Sequence, residues 1–206
     1  MTKEEALTII FKCADQYKNN LVDRNLLFIC VNSALKVNSF EAVFTGSNFL
    51  HMTGIKFLSV PVIAPNAFYS MCIDRRLSVD DFDMDTYGHT ELKLTVLPQL
   101  MKVNLSANVV GDYNSSRPLL ATDRMAGGVK GCMGFIVDDK KKPFYVPNSI
   151  MNEDIRKLTN NRLRIAATYR KKISDVKYDE IVYKAKNIMW SSLKYPSDWG
   201  NRPVPE

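Results

Sequence analysis

Arg162-Leu163-Arg164-Ile165-Ala166-Ala167-Thr168-Tyr169-Arg170-Lys171-Lys172 is the segment on which the fold turns. Its β-branched and aromatic residues alternate with cations, and a period of two is the signature of a strand. Leu163, Ile165, Ala167 and Tyr169 are expected on one face. Arg162, Arg164, Thr168, Arg170 and Lys172 are expected on the other, with Ala166 among them. Four cations cannot sit on a core face cheaply, so that row is expected to face solvent, a partner or a substrate.

Lys177 to Lys186 reads as a partner strand across a hairpin at Ser174-Asp175, with Ile181, Tyr183 and Ala185 inside and Glu180, Lys184 and Lys186 outside. Upstream, short β segments are expected at Ala107–Tyr113, Leu119–Asp123, Cys132–Val137 and Phe144–Val146. Asp138 to Lys142 marks an exposed turn, and Gly127 to Gly131 the start of a strand or a bulge. A short helix from Asn152 to Leu158 has Asp154 near its start and Arg156-Lys157 near its end, as the helix dipole prefers.

The N-terminal half is more helical. Thr2 and Glu5 form a capping box, followed by Leu7, Ile10, Phe11, Ala14 and Tyr17 at helical spacing as far as Asn19-Asn20. Strands are expected at Leu26–Asn32 and Glu41–Thr45, with Asn38-Ser39 as the turn. Pro65 opens a helix to Arg75, Ser78 caps a short helix in the pattern S-x-x-D, and Thr90 caps a helix from Glu91 to Met101 that Pro98 kinks or ends. The tail from Tyr195 is expected to be irregular. The expectation is therefore an α+β fold of one domain over 1–206, with N-terminal helices packed on a twisted antiparallel β-sheet. Its helical part spans about 1–104, its β-rich part about 105–190 and its irregular tail 195–206.

Composition narrows the function. The net charge is +6, yet Arg156 to Lys186 holds ten Lys/Arg against three Asp/Glu, so the excess lies in one C-terminal block. Such a block is either a solvated face or a phosphate-attracting surface. No apolar run approaches the roughly 18–20 residues that span a bilayer. The acidic start Met1-Thr2-Lys3-Glu4-Glu5 is unlike a signal peptide, so no membrane partner and a cytoplasmic location are expected. Cys13, Cys30, Cys72 and Cys132 lie apart among apolar neighbours, which fits reduced buried thiols better than a disulfide framework or a zinc site. Gly127 to Gly131 lacks phosphate-loop spacing, and neither G-x-S-x-G nor H-E-x-x-H occurs. No cofactor and no metal are expected.

Two segments carry chemistry. Ser47-Asn48-Phe49-Leu50-His51-Met52-Thr53-Gly54-Ile55 holds one of two histidines between Gly46 and Gly54. Gly111-Asp112-Tyr113-Asn114-Ser115-Ser116-Arg117-Pro118 joins a carboxylate, a phenol, hydroxyls and a guanidinium. A histidine in an apolar run is equally the pattern of a packed core residue, and Asp112 and Asn114 suit a turn. His89, before the helix at Thr90, reads as an exposed loop residue.

The order NFLHMTGI, TELKLTVLPQLM, GDYNSSRP and YVPNSIMNEDIR resembles a phage-associated branch of the Barnase–EndoU–colicin–RelE-like nuclease superfamily, over about Phe40 to Lys186, roughly 70% of the chain. The resemblance implies a small α+β fold and metal-independent RNA cleavage. It gives His51 an active-site role, because His51 occupies the histidine of an NFxHLTG-like motif in which Met52 here replaces leucine.

RNA cleavage without a metal uses the 2′-hydroxyl as nucleophile. It needs one group to take that proton, one to protonate the leaving 5′-oxygen, and cations or donors for the phosphorane. The candidate catalytic set is His51, Arg117, Tyr113 and Thr168. The candidate substrate-binding set is Ser47, Lys93, Arg164, Arg170 and Lys172. Lys93 enters because the helix dipole disfavours a cation in an early helical turn, so a phosphate or carboxylate partner is implied. The expected function is that of a phage or mobile-element RNA-binding protein acting as an endoribonuclease, with RNA and a host or cognate inhibitor protein as partners. Two alternatives use the same residues: a non-catalytic phage protein that binds and inhibits a host or competitor factor, and a nucleotide or metabolite binder.

Overall fold

The computed structural model describes residues 1–58, 64–115, 120–139 and 142–205, with backbone alone at 138, 139, 142 and 143. Helix α1, Lys3–Asn20, starts at the expected capping box: Thr2 accepts from the Glu5 amide at 3.2 Å while the Glu5 carboxylate accepts from the Thr2 amide at 2.8 Å. Ala6, Ile10, Cys13, Ala14 and Tyr17 form its buried stripe. Strands β1, Arg24–Val31, and β2, Val37–Phe44, follow as a hairpin. The turn lies at Asn32 to Lys36, where Asn32 Oδ1 accepts from the amides of Ala34 and Lys36. Asn38-Ser39, expected as the turn, is inside β2.

A 3-10 turn at Gly46–Asn48 leads into α2, Phe49–Thr53. The pair β3, Lys56–Phe57, and β4, Phe82–Asp83, flank α3, Pro65–Ile73. Ser78 and Asp81 form the cap of a 3-10 turn. Helix α4, His89–Leu100, is capped by Gly88 in a left-handed conformation, two residues before the expected cap at Thr90, and continues through Pro98 for two residues.

The remaining strands are β5, Val109–Tyr113; β6, Arg124–Gly128; β7, Gly131–Asp139; β8, Lys142–Met151; β9, Thr159–Lys172; and β10, Glu180–Lys184. The short α5, Ile155–Leu158, precedes β9 and is capped by Asp154 rather than starting at Asn152. Leu119–Asp123 does not appear as a strand: Leu119 lies outside the described residues and 120–123 are not strand. Residues 127–131 are the β6–β7 hairpin, with Gly128 opposite Gly131. The tip of the turn expected at Asp138–Lys142, residues 140 and 141, lies outside the described residues, and Asp139 pairs with Lys142 on either side of it.

The fold is α+β, with one large, mostly antiparallel sheet in the order β1-β2-β8-β7-β6-β5-β9-β10. Strand β1 also pairs with β9, so seven strands return on themselves. The β2–β8 seam of that circuit is parallel and holds a single pair, Ala42 with Tyr145. Helices α1, α3 and α4 pack with Leu26, Phe28, Phe40, Phe135 and Ile150 in the main core. On the opposite face, Leu193 and, in the tail, Trp199 pack on Leu27, Ile29 and Ala167, while Ile155 and Leu158 of α5 pack on Met125 and Cys132. The irregular tail is therefore a lid on the second face of the sheet.

That two-faced burial corrects the reading of β9. Ile29 pairs with Ala167 but Cys30 pairs with Ile165, so Ala166 is an extra residue in a β-bulge. The bulge reverses the alternation. Leu163 and Ile165 face the main core, whereas Ala167 and Tyr169 face the tail. The expected basic row is split in the same way. Arg164 lies opposite Val31 on the tail side, and Thr168 and Arg170 lie opposite Phe28 and Leu26 on the helix side. Thr168 is completely buried. In β10, Ile181 is exposed rather than inside, while Tyr183, and Ala185 just past the strand's end, are inward.

Candidate active site

The histidine motif is built by two glycines. A Cβ on Gly46 would stand 2.5 Å from Asn66 Oδ1 and 2.7 Å from the Tyr69 ring, so the motif starts pressed onto α3. Gly54 ends α2 at φ +71°, a conformation in which glycine carries no Cβ penalty. A Cβ there would meet Lys93 Cδ at 2.6 Å, because the Lys93 stem crosses over this residue. The Lys93 ammonium then donates to the carbonyl of His51 at 3.2 Å. A second tie runs beside it: the buried Thr90 hydroxyl donates to Gly54 O at 2.7 Å and accepts from the Asp85 amide at 3.0 Å. Thus α2 and the start of α4 are locked together.

Lys93 opens into a cleft of about 500 Å³ lined by His89, Leu92, Lys93, Leu120, Ser149, Ile150, Met151, Asn152, Glu153 and Leu158. Burial lowers the Lys93 ammonium's pKa. Across the cleft, Glu153 accepts from the Asp154 amide and from Lys157, and these partners hold its carboxyl below the usual range.

His89 is held by Asp85. The Asp85 carboxylate accepts from the His89 amide at 2.9 Å and from the Tyr87 amide at 3.1 Å, and its Oδ2 lies 2.9 Å from His89 Nδ1. The sequence offered one signal for this pair, an Asp four residues before a His ahead of a helix. Reading His89 as a loop residue passed over it.

The structure brings some of the candidate residues together and separates others. His51 is exposed on α2, touching Lys93 through its backbone. Ser47 is exposed at the start of the same motif, its hydroxyl 2.8 Å from that of Thr45. Tyr113 is half-buried at the end of β5, packed beside Met151, Ile155 and Leu158. Burial raises its phenol's pKa, and a hydrogen bond with the Leu120 backbone partly offsets this. Arg117 lies outside the described residues. Asp112, read as a turn residue, stands inside β5 and binds Arg124 and Asn161, and Asn114 donates to Lys157 O, so both make long-range contacts rather than turn caps.

The basic strand is elsewhere. Arg164 connects through Val109, Gly127 and Cys132 to Met151 of the cleft, four strand steps, which is roughly 19 Å of sheet at about 4.8 Å per strand. It donates to Lys186 O at 2.6 Å and lines, with Arg162, Asn187 and Met189, a second groove of about 510 Å³. Arg170 makes a two-pronged contact with Glu180 at 2.6 and 2.7 Å and donates to Asn20 O. Lys172 is exposed at the end of β9. The Thr168 hydroxyl, sealed in the core, has no partner among the described residues and cannot reach a substrate. Among the described residues, no three His, Cys, Asp or Glu side chains converge as a metal site, and no helix is long and apolar enough to cross a membrane.

A family model described as phage-Barnase-EndoU-ColicinE5/D-RelE like nuclease4 matches residues 9–187. No curated protein and no solved structure matches the chain.

Proposed function

The chain belongs to the phage-Barnase-EndoU-ColicinE5/D-RelE like nuclease family, and on that premise we propose that it binds RNA and cuts it by transphosphorylation. In this reading the 2′-oxygen attacks phosphorus, the bond to the 5′-oxygen breaks, and the products carry a 2′,3′-cyclic phosphate and a 5′-hydroxyl. The reaction needs no metal, because the nucleophile is supplied by the RNA itself. His51 serves as a proton-transfer group. The Lys93 ammonium offsets charge on the phosphoryl oxygens. Ser47 and Tyr113 are donors at the margins of the site. Arg164 and Lys172 attract the phosphate backbone further along the strand.

The observation that carries this reading is Lys93, a half-buried cation with no ion-pair partner among the described residues, tied to the histidine motif and open to a cleft. A cation so placed is short of an anion, and a phosphate is the anion a nuclease meets. The phage term in the family's description extends the proposal to a phage or mobile-element nuclease that acts on RNA in the cytoplasm and is restrained by a cognate inhibitor protein.

The second reading, a non-catalytic interaction protein, has its own observation. The Arg162–Arg164 groove is four strands from the cleft and bordered by exposed Leu35 and Met189, a mixture that suits an acidic protein surface. Incubation with total RNA in EDTA followed by end-group analysis separates the two. Cyclic phosphate ends support the nuclease; intact RNA supports the interaction protein.

A further inference from the structure

We infer that His89 is the general base of the cleft and Asp85 its positioning residue, an assignment that rests on the nuclease reading above. Transphosphorylation moves two protons, and one histidine serves both steps poorly. The cleft is lined by the chain's other imidazole, His89, in a defined orientation. Asp85 Oδ2 lies 2.9 Å from Nδ1 of His89 and accepts from the backbone of the same turn, so the carboxylate is fixed before the ring binds it. A carboxylate is acceptor-only, so Nδ1 carries the hydrogen. The neutral ring then presents its lone pair at Nε2, the form a base must have. Once Nε2 takes a proton, Asp85 stabilises the imidazolium.

Placement on α4 adds the rest. His89 and Lys93 are four residues apart, hence on one face of the helix, and both line the cleft. A phosphate on the Lys93 ammonium would set a ribose 2′-hydroxyl beside His89. The step balances as follows. The 2′-proton passes to His89 Nε2, the 2′-oxygen bonds to phosphorus, the P–O5′ bond breaks, and the 5′-oxygen takes a proton from His51 as acid. His89 then returns its proton to solvent, and His51 takes one back from it. The titratable groups facing His89 are Asp85 and Tyr87 on its own turn, Lys93 one turn along α4, and Glu153 from the loop after β8.

The test uses the full chain and two RNA oligonucleotides, one normal and one with a bridging 5′-sulfur at the scissile bond. A 5′-thiolate leaves without protonation, so loss of the acid is rescued by sulfur and loss of the base is not. His89→Ala should lower kcat by about 10²–10⁴-fold on both substrates, with unchanged affinity for a 2′-O-methyl oligonucleotide. Asp85→Asn should lower kcat on both substrates with unchanged affinity for the 2′-O-methyl oligonucleotide, and Asp85→Glu should restore part of the rate; a purely structural role would lower affinity and stability together with the rate. Wild-type cleavage with His89→Ala equally active, or rescued by sulfur, overturns the assignment and leaves the nuclease reading standing. A wild type that cuts neither substrate overturns both.

Discussion

The Lys93 ammonium lies 3.2 Å from the carbonyl oxygen of His51, and it gets there by crossing a residue that has no side chain, Gly54. Two segments forty residues apart are joined at a point where a single methyl group would intrude. Gly54→Ala should therefore push Lys93 aside and strain a left-handed backbone position, at a cost of roughly 1–2 kcal/mol for the backbone alone. Urea denaturation reads the stability loss, and cleavage should fall further than stability explains.

Lys93→Met keeps the stem and removes the charge. RNA affinity and cleavage should both drop. Because burial lowers the Lys93 pKa, the native state gives up that proton before the unfolded chain does. Wild-type stability should thus rise with pH across the window just below the ordinary lysine value. The difference between wild type and Lys93→Met in denaturation curves across that window should show the rise; parallel curves would contradict it.

His51→Ala should reduce cleavage by about 10²–10⁴-fold while leaving RNA binding and folding intact, since proton transfer typically contributes that much. His51 is exposed on a short helix, so truncation opens no cavity. Single-turnover kinetics alongside a binding isotherm distinguishes this from a general loss of fold.

The cations of β9 should not be equivalent in salt titrations. Arg170 is held by Glu180 and Asn20, so Arg170→Ala should lower stability and leave the salt slope of RNA binding unchanged. Arg164→Ala should reduce that slope by about 0.7, the value for one phosphate contact on a single strand. An unchanged slope for Arg164→Ala would assign its groove to another partner.

Thr168→Val should be neutral or stabilising, because it replaces a buried hydroxyl that lacks a partner with an apolar group of the same shape. Cleavage should be unaffected. The four cysteines should resist alkylation at pH 8 until the chain unfolds, since burial pushes each thiol's pKa up to about 12.

Local rules carried part of the sequence reading, although the turn expected at Asn38-Ser39 lies inside β2 and the cap of α4 is Gly88 rather than Thr90. The Thr2–Glu5 box, the Pro65 start of α3 and the Ser78–Asp81 cap all follow from side chains within four residues of one another. The reading of β9 failed because its alternation is broken by Ala166, and a bulge is fixed by the register of β1, more than a hundred residues away. The same holds for the site. Lys93 was visible as a cation out of place on its helix. Its meeting with His51 depends on how α2 and α4 pack, and no spacing encodes that. Asp85 and His89 stood four residues apart in the sequence all along, but their value as a pair depends on the cleft, which β8 and α5 complete.

Closing β1 onto β9 also sets a timetable for the chain. The first strand spans Arg24–Val31, and the strand that covers its free edge spans Thr159–Lys172. On the ribosome, β1 and β2 emerge long before the partner that shields them, so the circuit forms only after β9 has followed. Pairings of such long range are slow to form, because the loop entropy is lost before the contacts compensate for it. The walls of the cleft at Ser149 to Leu158 come from the same late stretch. A nascent chain that has not yet reached β8 and α5 therefore carries the histidine motif without the cavity around it.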